Sequence, residues 1–368
     1  MKGPEGAAGM RGEDRACTPA DAAPGAEAWC AMAFERPGRP LKAVWRRQLP
    51  EPGPGQVRIH VAACGVCRTD LHIVDGDLPW IGRTVVPGHE VVGRVEALGL
   101  NVAGLELGQR VGVPWLGSTC GRCPQCLSGR ENLCPNAVFT GWHRDGGYAQ
   151  QMLADARYVF PIPDRYDDAQ AAPLLCAGLI GWRAYTMAGP QAMRIGLYGF
   201  GAAAHLLAQV AKHQGREVFA FTRPGDQAAQ ALALRLGARW AGGSDEPSPV
   251  PLDAALLFAP DGALVPVGLK AVRPGGTVVC AGIHMSEIPS FPYALLWGER
   301  RIVSVANLTR QDGLDFMRVA GALPLEVSTR LYGLTQVNQA LDDLRAGRFT
   351  GAAVLLTAAE PADHGLVD

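Results

Sequence analysis

The chain has 368 residues, 48% of them hydrophobic and 46 of them glycine, and its 34 Lys and Arg against 35 Asp and Glu leave a formal net charge of -1. That length suffices for two compact domains, each with its own core. The mixed charge gives no basic stripe for nucleic acid, and no apolar run reaches the roughly 18 residues a membrane helix needs. Even residues 254–269 are broken by Pro260 and Asp261. A soluble protein acting on small molecules is expected, with no nucleic-acid or membrane partner.

Residues 1–29, rich in Ala, Gly and Pro without a hydrophobic period, read as a disordered extension. Their lack of an apolar leader, with most cysteines assignable to metal, points to a reducing cytoplasm. Residues 31–34 and 57–62 read as strands separated by the Pro/Gly loop EPGPGQ, and further short strands follow at 90–98 and 110–113. The first half is thus β-rich. After about Leu179, apolar strands at 195–198, 217–222, 253–259 and 276–281 alternate with Ala/Leu-rich helical stretches, the pattern of a parallel sheet with crossover helices. Residues 283–312 carry the last part of this unit and its subunit edge. Helical sequence at DFMRVA and VNQALDDLRAG returns the chain to the first domain, whose strands end with GAAVLL.

Four cysteines, Cys120, Cys123, Cys126 and Cys134, are spaced C-x2-C-x2-C-x7-C. Four thiolates joined by short Gly- and Pro-containing loops make a closed tetrahedral zinc site; disulfides or buried free thiols suit such spacing less well. A filled site of this kind has no open position for substrate. Cys67 in CGVCRTDLH, His89 in PGHE and Cys176 in PLLCAG form a second candidate set, two thiolates and one imidazole with a fourth position free. Taken singly, Cys176 reads more readily as core packing than as a ligand, and Cys64 with Cys67 reads as a redox pair, although that motif is expected beside a βαβ unit. Cys17, Cys30, Cys64 and Cys280 receive no role.

The apolar segment 195–198 runs into Gly199-Phe200-Gly201-Ala202-Ala203-Ala204 and then HLLAQVAKH, a G-x-G-x-x-A dinucleotide fingerprint. Gly199 permits the tight turn, Gly201 lets the backbone approach a pyrophosphate, and Ala204 lets the helix pack on its strand. At the end of the next strand, where a carboxylate would hold the ribose of NAD, stand Thr222 and Arg223. A guanidinium there pairs with a 2'-phosphate, so NADP is favoured over NAD; the competing view is an Arg223 that points into solvent or stacks on adenine.

CGVCRTDLH, PGHE, the four-cysteine lobe, LLCAG and the fingerprint, in this order, resemble the zinc-dependent alcohol dehydrogenases of the medium-chain dehydrogenase/reductase superfamily, over residues 31–356. The resemblance implies an α/β fold: a Rossmann-type doubly wound parallel sheet over 179–311, plus a β-rich GroES-like catalytic domain of residues 30–178 and 312–368 with its zinc lobe near 117–136. It implies two Zn2+ per subunit, one held by Cys67, His89 and Cys176 and one by the four-cysteine lobe. Thr69 would bond the substrate oxygen and His72 would end a proton relay; Asp70 would orient His89 and Glu90 ease ligand exchange. Arg68 would bind pyrophosphate, and Thr222-Arg223-Pro224 resembles the Ser-Arg-Pro of NADP-dependent members. Gly351 stands where the family often has a phosphate-binding arginine, which puts cofactor contacts there in doubt. The activity implied is reversible hydride transfer between an alcohol and NAD(P) by a homo-dimer or tetramer. Trp80, Trp115, Leu116 and Trp142 would narrow the cleft toward small or flat substrates, or serve as ordinary core. The competing function is a zinc-stabilised NADPH-binding protein without dehydrogenase activity.

Overall fold

Along Gln56–Val66, Val57, Ile59, Val61 and Ala63 are wholly buried while the residues between them are more accessible, the period-two pattern of a strand with one face on a core. This strand is the spine of a seven-stranded sheet. Its order runs Thr329–Gly333, Ala352–Leu356, Gln56–Val66, Glu90–Leu98, Arg110–Val113 and Phe160–Pro161, and Gln151–Asp155 also pairs with the first half of the spine. Neighbours are antiparallel except the first two strands. The computed structural model describes residues 29–46 and 49–358. Positions 1–28 of the expected N-terminal extension lie outside the described residues. Trp29 does not belong with them: it opens the strand Trp29–Ala33 and is 7% exposed, because its indole has a core to enter.

The second sheet has six strands in the order Trp240–Gly243, Glu217–Thr222, Arg194–Tyr198, Leu252–Leu257, Val272–Cys280 and Arg301–Ser304. All its neighbours are parallel. Chain order reverses between Arg194–Tyr198 and Leu252–Leu257, which opens a crevice at the carboxyl ends of those two strands. The fingerprint loop sits there. Neither Trp240–Gly243 nor Arg301–Ser304 is in the sequence reading, and two further strands differ from it in their bounds. Leu252–Leu257 ends before Phe258, and Val272–Cys280 starts four residues early because Val272 pairs with Leu252 before the register slips and Thr277 pairs with Ala254. The slip absorbs the Pro274, Gly275 and Gly276 turn within the strand. Among the described residues, no helix is long and apolar enough to cross a membrane.

Gly351, where the family resemblance suggested a lost phosphate ligand, has a structural reason to be glycine. Its φ is +95°, and a Cβ placed there would lie 2.2 Å from the Ser328 carbonyl oxygen. No side chain fits. Replacing Gly351 with Ala is therefore expected to destabilise the fold by about 1–3 kcal/mol, the cost of a left-handed non-glycine residue, as a lowered midpoint in chemical denaturation; an unchanged midpoint would show that the turn relaxes freely.

Candidate functional site

Cys67 lies where the spine strand stops and the helix Arg68–Asp75 begins, as its N-cap. Its backbone N–H donates to Asp70 Oδ2 at 2.9 Å, the reach-back of the third helical residue onto the cap. The other oxygen of that carboxylate, Oδ1, is 3.3 Å from His89 Nδ1, and both side chains are completely buried. This second contact is off-line, and neither atom completes a hydrogen bond. One carboxylate thus lies against two prospective ligands. His89 follows Gly88, whose φ of +94° and lack of a side chain are required: a Cβ there would lie 2.5 Å from the Tyr148 ring and 2.9 Å from Cys64 Sγ. Cys176 caps the helix Ala177–Met187. Two helix N-termini therefore present sulfur, with the positive ends of their dipoles favouring thiolate.

Cys67 Sγ is 3.2 Å from His89 Nε2 and 4.0 Å from Cys176 Sγ. A tetrahedron with Zn–S of about 2.3 Å and Zn–N of about 2.0 Å has edges of about 3.5 and 3.8 Å between those atoms, so the donors fit zinc. Glu90 joins them: ligand atoms of Cys67, His89, Glu90 and Cys176 all lie within 4.8 Å of one another. Glu90 pairs across the sheet with Gly65, and a Cβ on Gly65 would sit 1.9 Å from its Oε2. The carboxylate folds over bare backbone. Electrostatically the pocket is crowded. The Cys67 thiol is held well below its ordinary range, chiefly by a hydrogen bond with Cys176 against the opposing effect of burial, with help from His89 and Thr69. Cys176 is pushed up by its contact with Cys67 and by burial, and Glu90 by burial and the Cys67 charge. In His89, burial favours the neutral ring but the charges of Cys67 and Asp70 outweigh it, raising the pKa.

An aromatic wall adjoins this cluster. The Trp115 ring is 6.0 Å from His89, 4.7 Å from Phe139 and 6.4 Å from Trp142, and Trp142 stacks on His143 at 4.1 Å. Trp142 Nε1 donates to the Pro79 carbonyl, which fixes its plane. Trp80 stands apart, half exposed, and Leu116 is wholly buried. Thr69 is buried in the first turn of the Cys67 helix, and His72 lies one turn further along the same face. Arg68 is exposed at the helix start.

The four-cysteine lobe is compact. Cys120 and Cys134 sulfurs are 3.5 Å apart, Cys123 and Cys126 3.6 Å, and Cys120 and Cys126 4.0 Å, again tetrahedral edges. Backbone N–H groups of Arg122 and Cys123 pull Cys120 down to about 6, so it ionises readily. Sequence reading missed what anchors the lobe: Glu131 Oε1 accepts from the Arg310 N–H at 2.7 Å, and Asn132 Nδ2 donates to the Ala306 carbonyl at 2.7 Å. No local motif marks either residue.

At the crevice, Gly199 has φ +90° and a Cβ there would meet the Ala259 nitrogen at 2.8 Å. Gly201, the N-cap of helix Ala202–His213, faces open space, which leaves its backbone approachable. Ala204 is wholly buried against the sheet. His205 beside it is buried with neither ring nitrogen bonded, and burial holds it down at about 4. Thr222 is turned inward, its hydroxyl donating to backbone carbonyls and accepting from Gln230 Nε2 at 3.1 Å. Arg223 is exposed and, among the described residues, has no acidic partner. The nearest carboxylate in sequence, Asp226, accepts from the Ala229 N–H as a helix cap.

Residues 53–164 match the family described as Alcohol dehydrogenase GroES-like domain. The protein of Mycobacterium tuberculosis (strain CDC 1551 / Oshkosh) named "Probable alcohol dehydrogenase AdhA" is 48% identical over 337 residues, 89% of this chain and 96% of that one. Among solved structures, cobalt- and zinc-bound thermostable alcohol dehydrogenase from Pyrobaculum aerophilum superposes with a TM-score of 0.80 at 27% identity, over 90% of this chain and 100% of that one. Acetophenone reductase from Geotrichum candidum NBRC 4597, solved with NAD, gives 0.80 at 27% identity over 90% and 97%. With a pocket that fits zinc beside a dinucleotide loop, and with identity of this extent, the chain belongs to the zinc-dependent alcohol dehydrogenase family of the medium-chain dehydrogenase/reductase superfamily.

Proposed function

We propose that Cys67, His89 and Cys176 hold the catalytic zinc of this alcohol dehydrogenase and that Cys120, Cys123, Cys126 and Cys134 hold a second, structural zinc. The observation that carries the reading is the convergence of three ligands, from positions 67, 89 and 176, at tetrahedral separations. Zinc bound there supplies Lewis acidity that stabilises negative charge on the substrate oxygen, while the nicotinamide accepts or donates the hydride. Asp70 fixes the Cys67 backbone and orients the His89 ring. Glu90, within reach of the same centre, would ease exchange of the ligands held there. Thr69 hydrogen-bonds the substrate hydroxyl and passes its proton, through the coenzyme ribose, to His72 one turn further along the same helix. Trp115 and Trp142 make the cleft a flat apolar slot, favouring small or planar alcohols and aldehydes.

The coenzyme pyrophosphate rests on the Gly199–Ala204 turn and the positive end of its helix, with Arg68 as an added cation. NADP is favoured over NAD. Thr222 supplies no carboxylate to a ribose, and Arg223 is exposed and not neutralised, which suits a 2'-phosphate. We assign a homo-oligomer joined at the exposed edge strand Arg301–Ser304, beside Tyr293 and Trp297, each 68% exposed. A reducing cytoplasm suits the two clusters of free thiols.

Initial rates with primary, branched and aromatic aldehydes, using NADPH and NADH, with and without a chelator, test the reaction directly. Elemental analysis is expected to find two zinc equivalents per chain. Cys67→Ser should lose one equivalent and all turnover while keeping the fold; Cys123→Ser should lower the thermal midpoint more than Cys67→Ser does. Wild-type rates in Cys67→Ser would end the catalytic assignment.

Arg223→Asp removes a charge-assisted pair and adds repulsion, so KM for NADPH should rise about ten- to a hundredfold while that for NADH falls. Unchanged constants for both coenzymes would remove Arg223 from the coenzyme site.

A further inference from the structure

His72 is held by groups from both halves of the molecule. On its own side, the helix Arg68–Asp75 ends at Gly76, whose left-handed φ of +88° turns the chain so that Asp77 folds back beneath the last turn. Asp77 Oδ2 then meets His72 Nδ1 at 2.7 Å. An ionised carboxylate only accepts, so Nδ1 carries the hydrogen and Nε2 is left with its lone pair. The hydrogen bond itself is partly solvated, with Asp77 53% exposed, and adds little to stability. Its effect is on orientation and tautomer.

From the other side comes His284. It lies in the turn that follows the strand Val272–Cys280 of the dinucleotide sheet, and its ring centroid is 4.7 Å from that of His72 at a tilt of 43°. Its φ of +50° puts a residue with a side chain in the left-handed region. Histidine tolerates that region better than most residues, yet it remains an unfavoured conformation. Here it aims an imidazole across the cleft at another imidazole.

We propose that Asp77 and His284 are positioning residues for His72: Asp77 sets which nitrogen accepts the proton, and His284 makes the ring's orientation depend on how the dinucleotide domain sits against the catalytic domain. Neither touches the metal ligands. The inference rests on the reading of His72 as the end of the proton path, and it adds a coupling between that path and the coenzyme-binding half of the molecule.

The test is oxidation of benzyl alcohol by the zinc-loaded enzyme with whichever of NAD+ or NADP+ supports turnover. Asp77→Ala is expected to lower kcat about ten- to a hundredfold, within the range a positioned proton acceptor contributes, with KM for benzyl alcohol within about twofold of wild type. Asp77→Asn, whose amide oxygen still accepts from Nδ1–H, should recover most of that loss. His284→Gly removes the ring and suits the backbone angle, so folding is preserved; kcat should fall while zinc content and thermal midpoint stay unchanged. Because both residues act on one ring, the double variant should lose less than the product of the single losses. His72→Ala is the reference, and exogenous imidazole should restore part of its rate. If His72→Ala keeps wild-type kcat, the proton-path reading fails and this inference falls with it. If His72→Ala is slow but Asp77→Ala and His284→Gly are both within twofold of wild type, or their losses multiply independently, the positioning role alone is overturned.

Discussion

The site depends on a burial that protein alone tolerates poorly. Two thiols, two carboxylates and one imidazole crowd one small volume: Asp70 and His89 are fully buried and Glu90 is 2% exposed, while Cys67 and Cys176 are half-buried. Two like charges about 4 Å apart repel by about 4 kcal/mol at an effective dielectric constant near 20. All four acids cannot ionise together unaided. The raised pKa values of Cys176 and Glu90 and the lowered one of Cys67 follow from that crowding: contact with Cys67 and burial oppose ionisation of the first two, and the hydrogen bond with Cys176 favours it in Cys67. A divalent cation reverses the sign of that interaction, making each anion an asset. A zinc ion held there would tie metal affinity to the integrity of this pocket, and Asp70, which lies against both Cys67 and His89, would serve both.

Backbone geometry makes the crowding possible. Gly65 lies opposite Glu90 in the sheet so that the carboxylate has somewhere to fold, and Gly88 turns the chain where Tyr148 and Cys64 leave no room for a Cβ. The Tyr148 hydroxyl is itself buried without a hydrogen bond, and the Asp70 charge adds to the burial that pushes its pKa up. These positions carry little chemistry of their own. They decide whether Cys67, His89 and Cys176 can approach one another at all.

Much of this was legible in the sequence, and the parts that were not share a cause. Ligand pairs close in sequence, the four-cysteine lobe and the G-x-G-x-x-A turn, could be read because spacing along the chain fixes their geometry. Cys67, His89 and Cys176 required the family pattern, since nothing local says that positions 67, 89 and 176 meet. Asp70 and Glu90 would pass for surface charges, yet both are buried, because cap geometry and strand register, not hydropathy, set their direction. Asp77 and His284 were invisible for the same reason: one acts through a left-handed turn, the other across the cleft. The early start of Val272–Cys280 escaped because Pro274 and the two following glycines look like a boundary, whereas the register slip places them inside the strand.

The two clusters of prospective ligands are linked through the junction between the sheets. Glu131 and Asn132 lie between the third and fourth lobe cysteines, and both are nearly buried. They hold the backbone of Arg310 and Ala306, where the chain leaves the edge strand Arg301–Ser304 and enters the helix Arg310–Ala322 on its way back to the catalytic domain. Thr309 caps that helix, and the Asp312 carboxylate that completes the capping box also receives Arg183 from the helix that Cys176 begins. A continuous set of hydrogen bonds thus runs from the four-cysteine lobe, through the returning segment, to the helix that Cys176 caps.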